Sequence, residues 1–150
     1  MRSIYVALAA ATCLLPAVCT AVDHLGEVKS EVFEARGTPE ELRARARFCI
    51  EQMSGHDELR KGDEEKGVLV TNLQVDYGIK SIVKSVMTFE ARPDRFRITH
   101  ASVTRATEAD GEFAPVAMKW GSGWKRVERI LQARSTDIAA CVKSAQLAAV

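Results

Sequence analysis

In Ser81–Arg105, SIVKSVMTFEARPDRFRITHASVTR, apolar and polar residues alternate on both sides of Arg92-Pro93-Asp94. Val83, Met87 and Phe89 share one face of an extended strand, and Lys84, Thr88 and Glu90 share the other. Beyond the turn Phe96 and Ile98 continue the apolar face, with Arg95, Arg97 and Thr99 opposite. A period of two is that of a half-buried strand. Proline pre-sets the backbone of a turn and aspartate tolerates the positions after it, so the stretch predicts a β-hairpin. Its apolar face needs a covering layer. On its wet face Glu90 can pair with Arg95 or Arg97 across the strands. Lys84, Arg95 and Arg97 are weak candidate binding residues there, since charges on a wet face mostly serve solubility.

The layer that covers the hairpin is readable on both sides of it. Gly37-Thr38-Pro39-Glu40-Glu41 carries a capping residue, a proline suited to the first helical position and two carboxylates at the positive end of a helix dipole. Leu42, Ala46, Cys49, Ile50 and Met53 follow at three- and four-residue spacing, and Ser54-Gly55 ends the helix. Arg43, Arg45 and Arg47 point in different directions on such a helix, which favours a solvated face over an anion site. From Trp124 the residues Val127, Ile130, Leu131, Ile138, Cys141, Val142 and Ala145 recur at helical spacing to the C-terminus. Ser135-Thr136-Asp137 interrupts this pattern with capping residues, and a kink or split is expected there.

Between and before these elements, Asp23–Arg36 reads as a short strand or extended arm, and His56–Gly62 as a short edge strand with a charged turn behind it. Gly67–Tyr77 alternates as a half-buried strand. Ala106–Gly123 is a long connection with a short strand at Phe113–Met118. Long connections are where function tends to sit. This one ends in Trp120-Gly121-Ser122-Gly123-Trp124.

The chain opens with Met1-Arg2, an apolar run from Ile4 to Val18 and small residues at Cys19-Thr20-Ala21. That order is a secretory signal peptide, with cleavage expected near Ala21. The run is also shorter than the roughly 20 residues that span a bilayer. Lipidation of Cys19 is the second reading, although Leu15-Pro16-Ala17-Val18 fits such a site poorly. The expectation is therefore a leader over 1–21 and a single domain over 22–150, periplasmic or extracellular, with no membrane span after cleavage.

The whole chain has 21 Lys+Arg against 20 Asp+Glu, and Arg2 is the one charge in the leader, so the remainder balances. Nucleic-acid binding calls for a basic balance, which is missing, and no nucleic-acid partner is expected. Cys13 and Cys19 leave with the leader. Cys49 and Cys141 remain on apolar helical stripes, where they either form a disulfide in an oxidising compartment or stay as two buried thiols.

Catalytic chemistries find little support. His24, His56 and His100 are scattered, without the clustering zinc requires, and each reads as a surface or loop residue. Gly121-Ser122-Gly123 lacks the spacing of a nucleophile elbow. Trp120 and Trp124 read as core or lid residues before they read as a ligand platform, and join Lys84, Arg95 and Arg97 as weak candidate binding residues. No cofactor, metal site or catalytic residue is expected.

Two motifs carry a resemblance. Asp63-Glu64-Glu65-Lys66-Gly67-Val68-Leu69-Val70 resembles the acidic turn, glycine and β-branched strand of a family of uncharacterised bacterial exported domains with a fold like the TATA-binding protein. Thr88–Thr99, TFEARPDRFRIT, is similar to that family's Lys-Asp-Gly-Arg-Tyr-Arg-Tyr hairpin, with Pro93-Asp94 in place of Asp-Gly and Phe96 in place of a tyrosine. The motifs extend over about half of the chain after the leader. The resemblance implies an α+β fold of the TATA-binding-protein type and brings no catalytic residues with it. Such a fold says nothing about DNA, because function belongs to sites.

Together these readings predict an α+β domain, an antiparallel sheet of four to five strands with two helices packed on one face. The expected function is a non-catalytic binding or envelope-interaction module for an unknown protein or small-molecule partner. The alternatives are a lipid-anchored protein held by Cys19, and a small hydrolase with its site near the Trp-rich loop using Ser122, His100 or a carboxylate.

Overall fold

The structure is a computed structural model that describes residues 22–53, 58–60, 68–78, 80–107 and 111–148. The expected leader with Cys19, the helix stop at Ser54-Gly55, His56 and the acidic turn at Asp63–Gly67 lie outside the described residues.

The predicted hairpin is the centre of the molecule. Strand β5 (Ile82–Arg92) pairs with β6 (Arg95–Ala106) across Pro93-Asp94. Proline holds its own φ negative, so the backbone reversal falls on Asp94, which takes a left-handed φ of 60°. Around this pair the sheet is antiparallel, in the order β1 (Glu27–Lys29), β6, β5, β4 (Val68–Asp76), β3 (Glu58–Arg60). Those five match the strands expected in the arm, the edge, Gly67–Tyr77 and the hairpin. Two further two-residue segments, β2 (Phe33–Glu34) and β7 (Ala114–Pro115), the latter within the short strand expected at Phe113–Met118, lengthen the edge beside β6. The arm before the first helix thus joins the sheet twice.

One irregularity interrupts the central pairing. Val86 pairs with Ala101 but Lys84 pairs with Thr104, so β6 carries an extra residue opposite Ser85. Ser102, inside this bulge, has a φ of 51°. A bulge breaks the alternation, which is why Phe96, Ile98 and His100 are buried at even positions and Val103 at an odd one.

Helix α1 (Pro39–Met53) begins with reciprocal caps. Thr38 Oγ1 accepts from the Glu41 amide at 3.2 Å, and Glu41 Oε2 accepts from the Thr38 amide at 2.9 Å. Helix α2 (Trp124–Ala148) is one continuous helix, so of the kink or split expected at Ser135-Thr136-Asp137 the split does not occur. The reason is local: Ser135 and Thr136 donate their hydroxyls to the carbonyls of Leu131 and Gln132, both at 3.1 Å, and so join the helix they were expected to end.

Both helices lie on one face of the sheet. Leu42, Ala46, Cys49 and Ile50 of α1 and Val127, Leu131, Ile138 and Val142 of α2 meet Leu69, Leu73, Met87, Phe89, Phe96 and Ile98 in a single core. Phe96 stands at its centre, 4.8 Å from Phe89 and 5.3 Å from Phe33 between ring centroids. A Cys49–Cys141 disulfide ties the two helices together, with Cα atoms 5.9 Å apart across 92 residues of sequence.

Candidate functional site

With both helices on one side, no described helix lies over the other face of the sheet, and side chains alternate onto it from every central strand. Its middle is half-buried and mildly apolar: Val70, Val86 and Ala101 lie among Asn72, Thr88 and Thr99. Neighbouring strands pack these side chains against one another without any helix above them. Charges occupy the two ends. Towards the bulge stands Lys84, its Nζ 4.0 Å from the centroid of the Phe113 ring. Towards the hairpin turn Arg92 faces Arg95 and Glu90 faces Arg97 in register, all exposed. No salt bridge joins Glu90 to Arg97 among the described residues. A pocket of about 300 Å3 opens at this end, lined by Val32, Glu90, Arg92, Arg95, Phe96 and Arg97. Lys84, Arg95 and Arg97 thus share one face as expected, but at opposite ends of it.

The hairpin turn is also wired to the helix start. Asp94 Oδ1 accepts from the Gly37 amide at 2.9 Å, while the Asp94 amide donates to the Gly37 carbonyl at 3.0 Å and the Asp94 carbonyl accepts from the Ala35 amide at 3.2 Å. Gly37 needs to be glycine, with φ at 145° and the place of a Cβ only 3.0 Å from Glu41 Oε2. A single aspartate therefore positions the arginine end of the open face relative to α1.

His100 overturns the expectation of a surface or loop histidine. It is fully buried under α2, because its strand position belongs to the apolar face shared by Phe96 and Ile98. Its ring is held at both nitrogens, Nδ1 3.2 Å from Ser85 Oγ and Nε2 2.9 Å from Ser135 Oγ. Ser135 already donates to the Leu131 carbonyl, so it accepts from Nε2–H, and Ser85 donates to Nδ1. Burial pushes the imidazole down from 6.5 to about 4, with the Leu131 backbone pulling partly back and the Arg134 charge lowering it further. The ring is neutral and its hydrogen bonds are internal.

Ser122 does not come to His100. Its hydroxyl donates to the carbonyls of Ala117 and Lys119 at 2.6 and 2.8 Å, and its own carbonyl accepts from Arg105 Nη1 at 2.6 Å. It staples the loop before α2, so the serine–histidine arrangement of the hydrolase alternative is not assembled. The tryptophans separate as well: Trp124 packs against the core, whereas Trp120 is 100% exposed at the tip of the turn and is no core residue. His24 sits in a bridge to Ala117 at the sheet edge. Among the described residues no group of three or more His, Cys, Asp or Glu converges. Nor is any described helix long and apolar enough to cross a membrane.

The residues that sequence reasoning passed over are Asn72, Gln74 and Ser102. They line a second pocket, beside the bulge on the open face, of about 360 Å3. The only trace of it in the sequence is the change of phase between His100 and Val103, where the apolar spacing jumps from two to three.

An antiparallel sheet of this order with two helices on one side defines a TATA-binding-protein-like α+β fold, and solved structures agree. The chain is similar to a TBP-like protein from Parabacteroides distasonis ATCC 8503, with a TM-score of 0.59 and 11% identity over 77% of this chain and 91% of that one. It is also similar to a DUF4468 family protein from Bacteroides ovatus ATCC 8483, with a TM-score of 0.53 and 12% identity over 77% of this chain and 85% of that one. At such identities the likeness shows the fold. No family model and no curated protein sequence matches the chain.

Proposed function

We propose that this chain is an exported, non-catalytic binding domain that engages an envelope partner through the uncovered face of its sheet. The observation that carries this reading is the asymmetry of the sheet: both helices and the disulfide are spent on one face, while the other presents an ordered, half-apolar centre between charged ends. An ordered surface of that kind costs little entropy to immobilise on binding. The Cys49–Cys141 bridge suits an oxidising compartment, as does the leader over 1–21. The balanced charge selects a partner by local complementarity rather than by long-range attraction to a polyanion.

A photo-crosslinker placed at Thr88, on the open face, tests the proposal against one at Thr136, which is exposed on α2. Illumination of envelope fractions should give a discrete adduct from Thr88 and none from Thr136. Equal yields, or adducts from Thr136 alone, would refute it. Intact mass of the purified protein reports the address, since cleavage near Ala21 and lipidation of Cys19 leave different N-termini.

A further inference from the structure

The bulge does more than break the ladder. Between β4, β5 and β6 it opens the pocket of about 360 Å3 on the uncovered face, lined among others by Asn72, Gln74, Lys84, Val86 and Ser102. That volume lies at the small end of the range of about 300–1,000 Å3 typical of small-molecule sites. Its chemistry is one-sided. Lys84 supplies a cation that no described acid pairs, and none of the described lining residues is a carboxylate. Asn72 is half-buried on the open face and lines the pocket. Ser102 keeps a left-handed φ of 51° that a non-glycine residue adopts at a cost. Strained bulges recur where a sheet re-aims groups at a ligand.

We propose that this pocket binds the carboxylate of a small polar ligand, Lys84 taking the charge while Asn72 hydrogen-bonds the body. The ligand class is a carboxylate with amide- or hydroxyl-bearing neighbours, either the end of a peptide or a free sugar acid. This rests on the reading of the open face as a binding surface and narrows it to one end. The other end, with Arg92, Arg95 and Arg97, lines a separate pocket.

Titration of the 15N-labelled, disulfide-intact protein with N-acetylglycylglycine, its C-terminal amide and glucuronate tests it. One of the two acids should bind with a dissociation constant below about 1 mM, shifting backbone amides of residues 72–74, 84–86 and 101–103, and the tighter of the two identifies the source. The neutral amide should bind at least about tenfold more weakly, because a charge-assisted hydrogen bond is lost. Lys84→Gln should lower affinity for the acid about tenfold or more. Asn72→Ala, which leaves the Lys84–Phe113 contact in place, should lower it measurably with the fold intact by circular dichroism. Shifts confined to residues 90–97 would overturn the pocket and leave the open face standing. Equal binding of acid and amide, indifference to Lys84→Gln, or no binding by either acid would also overturn it.

Discussion

His100 is the residue whose environment departs furthest from what its neighbours in sequence suggest. Between pH 6.5 and about 4 the unfolded chain binds a proton at this imidazole that the folded chain refuses. The stability tied to the neutral ring is complete above 6.5 and lost as pH falls towards 4, an amount of about 3 kcal/mol. Urea melts across that window should show it, and His100→Gln, which keeps polar contacts but cannot titrate, should flatten the profile; an unchanged slope in the variant would assign the effect elsewhere. Asp94 offers a second test at this scale. Asp94→Gly keeps the left-handed turn and loses the carboxylate bond to Gly37, costing about 1 kcal/mol, whereas Asp94→Ala also pays for its φ, and about 2 kcal/mol is expected by denaturant midpoint.

Among the elements, the two helices are joined by the Cys49–Cys141 bridge and by one shared core. Replacing Cys49 and Cys141 together by alanine reopens a loop spanning 92 residues and should cost about 2–4 kcal/mol in thermal or urea unfolding, without displacing the hairpin. A loss well under 1 kcal/mol would mean that packing alone holds α1 to α2. The elements themselves were largely legible: strict alternation around Pro93-Asp94 marks β5 and β6, and Thr38, Pro39 and Glu41 spell out the start of α1. What stayed hidden depends on tertiary context. Ser135 looks like a cap until an imidazole arrives at its hydroxyl, and His100 looks like a surface residue until α2 lies over it. Lys84, Arg95 and Arg97 were placed on the correct face because alternation decides facing. Their separation into two ends, and the pocket that Asn72, Gln74 and Ser102 complete, depends on strand register and on one extra residue in β6, which composition and periodicity encode only as a slip of phase.

For the whole molecule, the core lies on one face of the sheet and the proposed binding surface on the other, and neighbouring residues of β5 separate the two. Phe89 points into the core against Phe96, while Thr88 lies next to it on the uncovered face. Phe89→Ala should cost about 3–5 kcal/mol, since a buried ring leaves a cavity that the tied helices cannot collapse. Thr88→Ala touches no such packing and should stay within about 0.5 kcal/mol. The same pair should invert in partner capture with the crosslinker moved to Thr99, which faces Thr88 in register on the open face, where a bulky substitution such as Thr88→Arg interferes with the partner while the melting temperature holds. If Thr88→Arg instead unfolds the protein, the open face is part of the stabilising structure and the division of labour between the two faces fails.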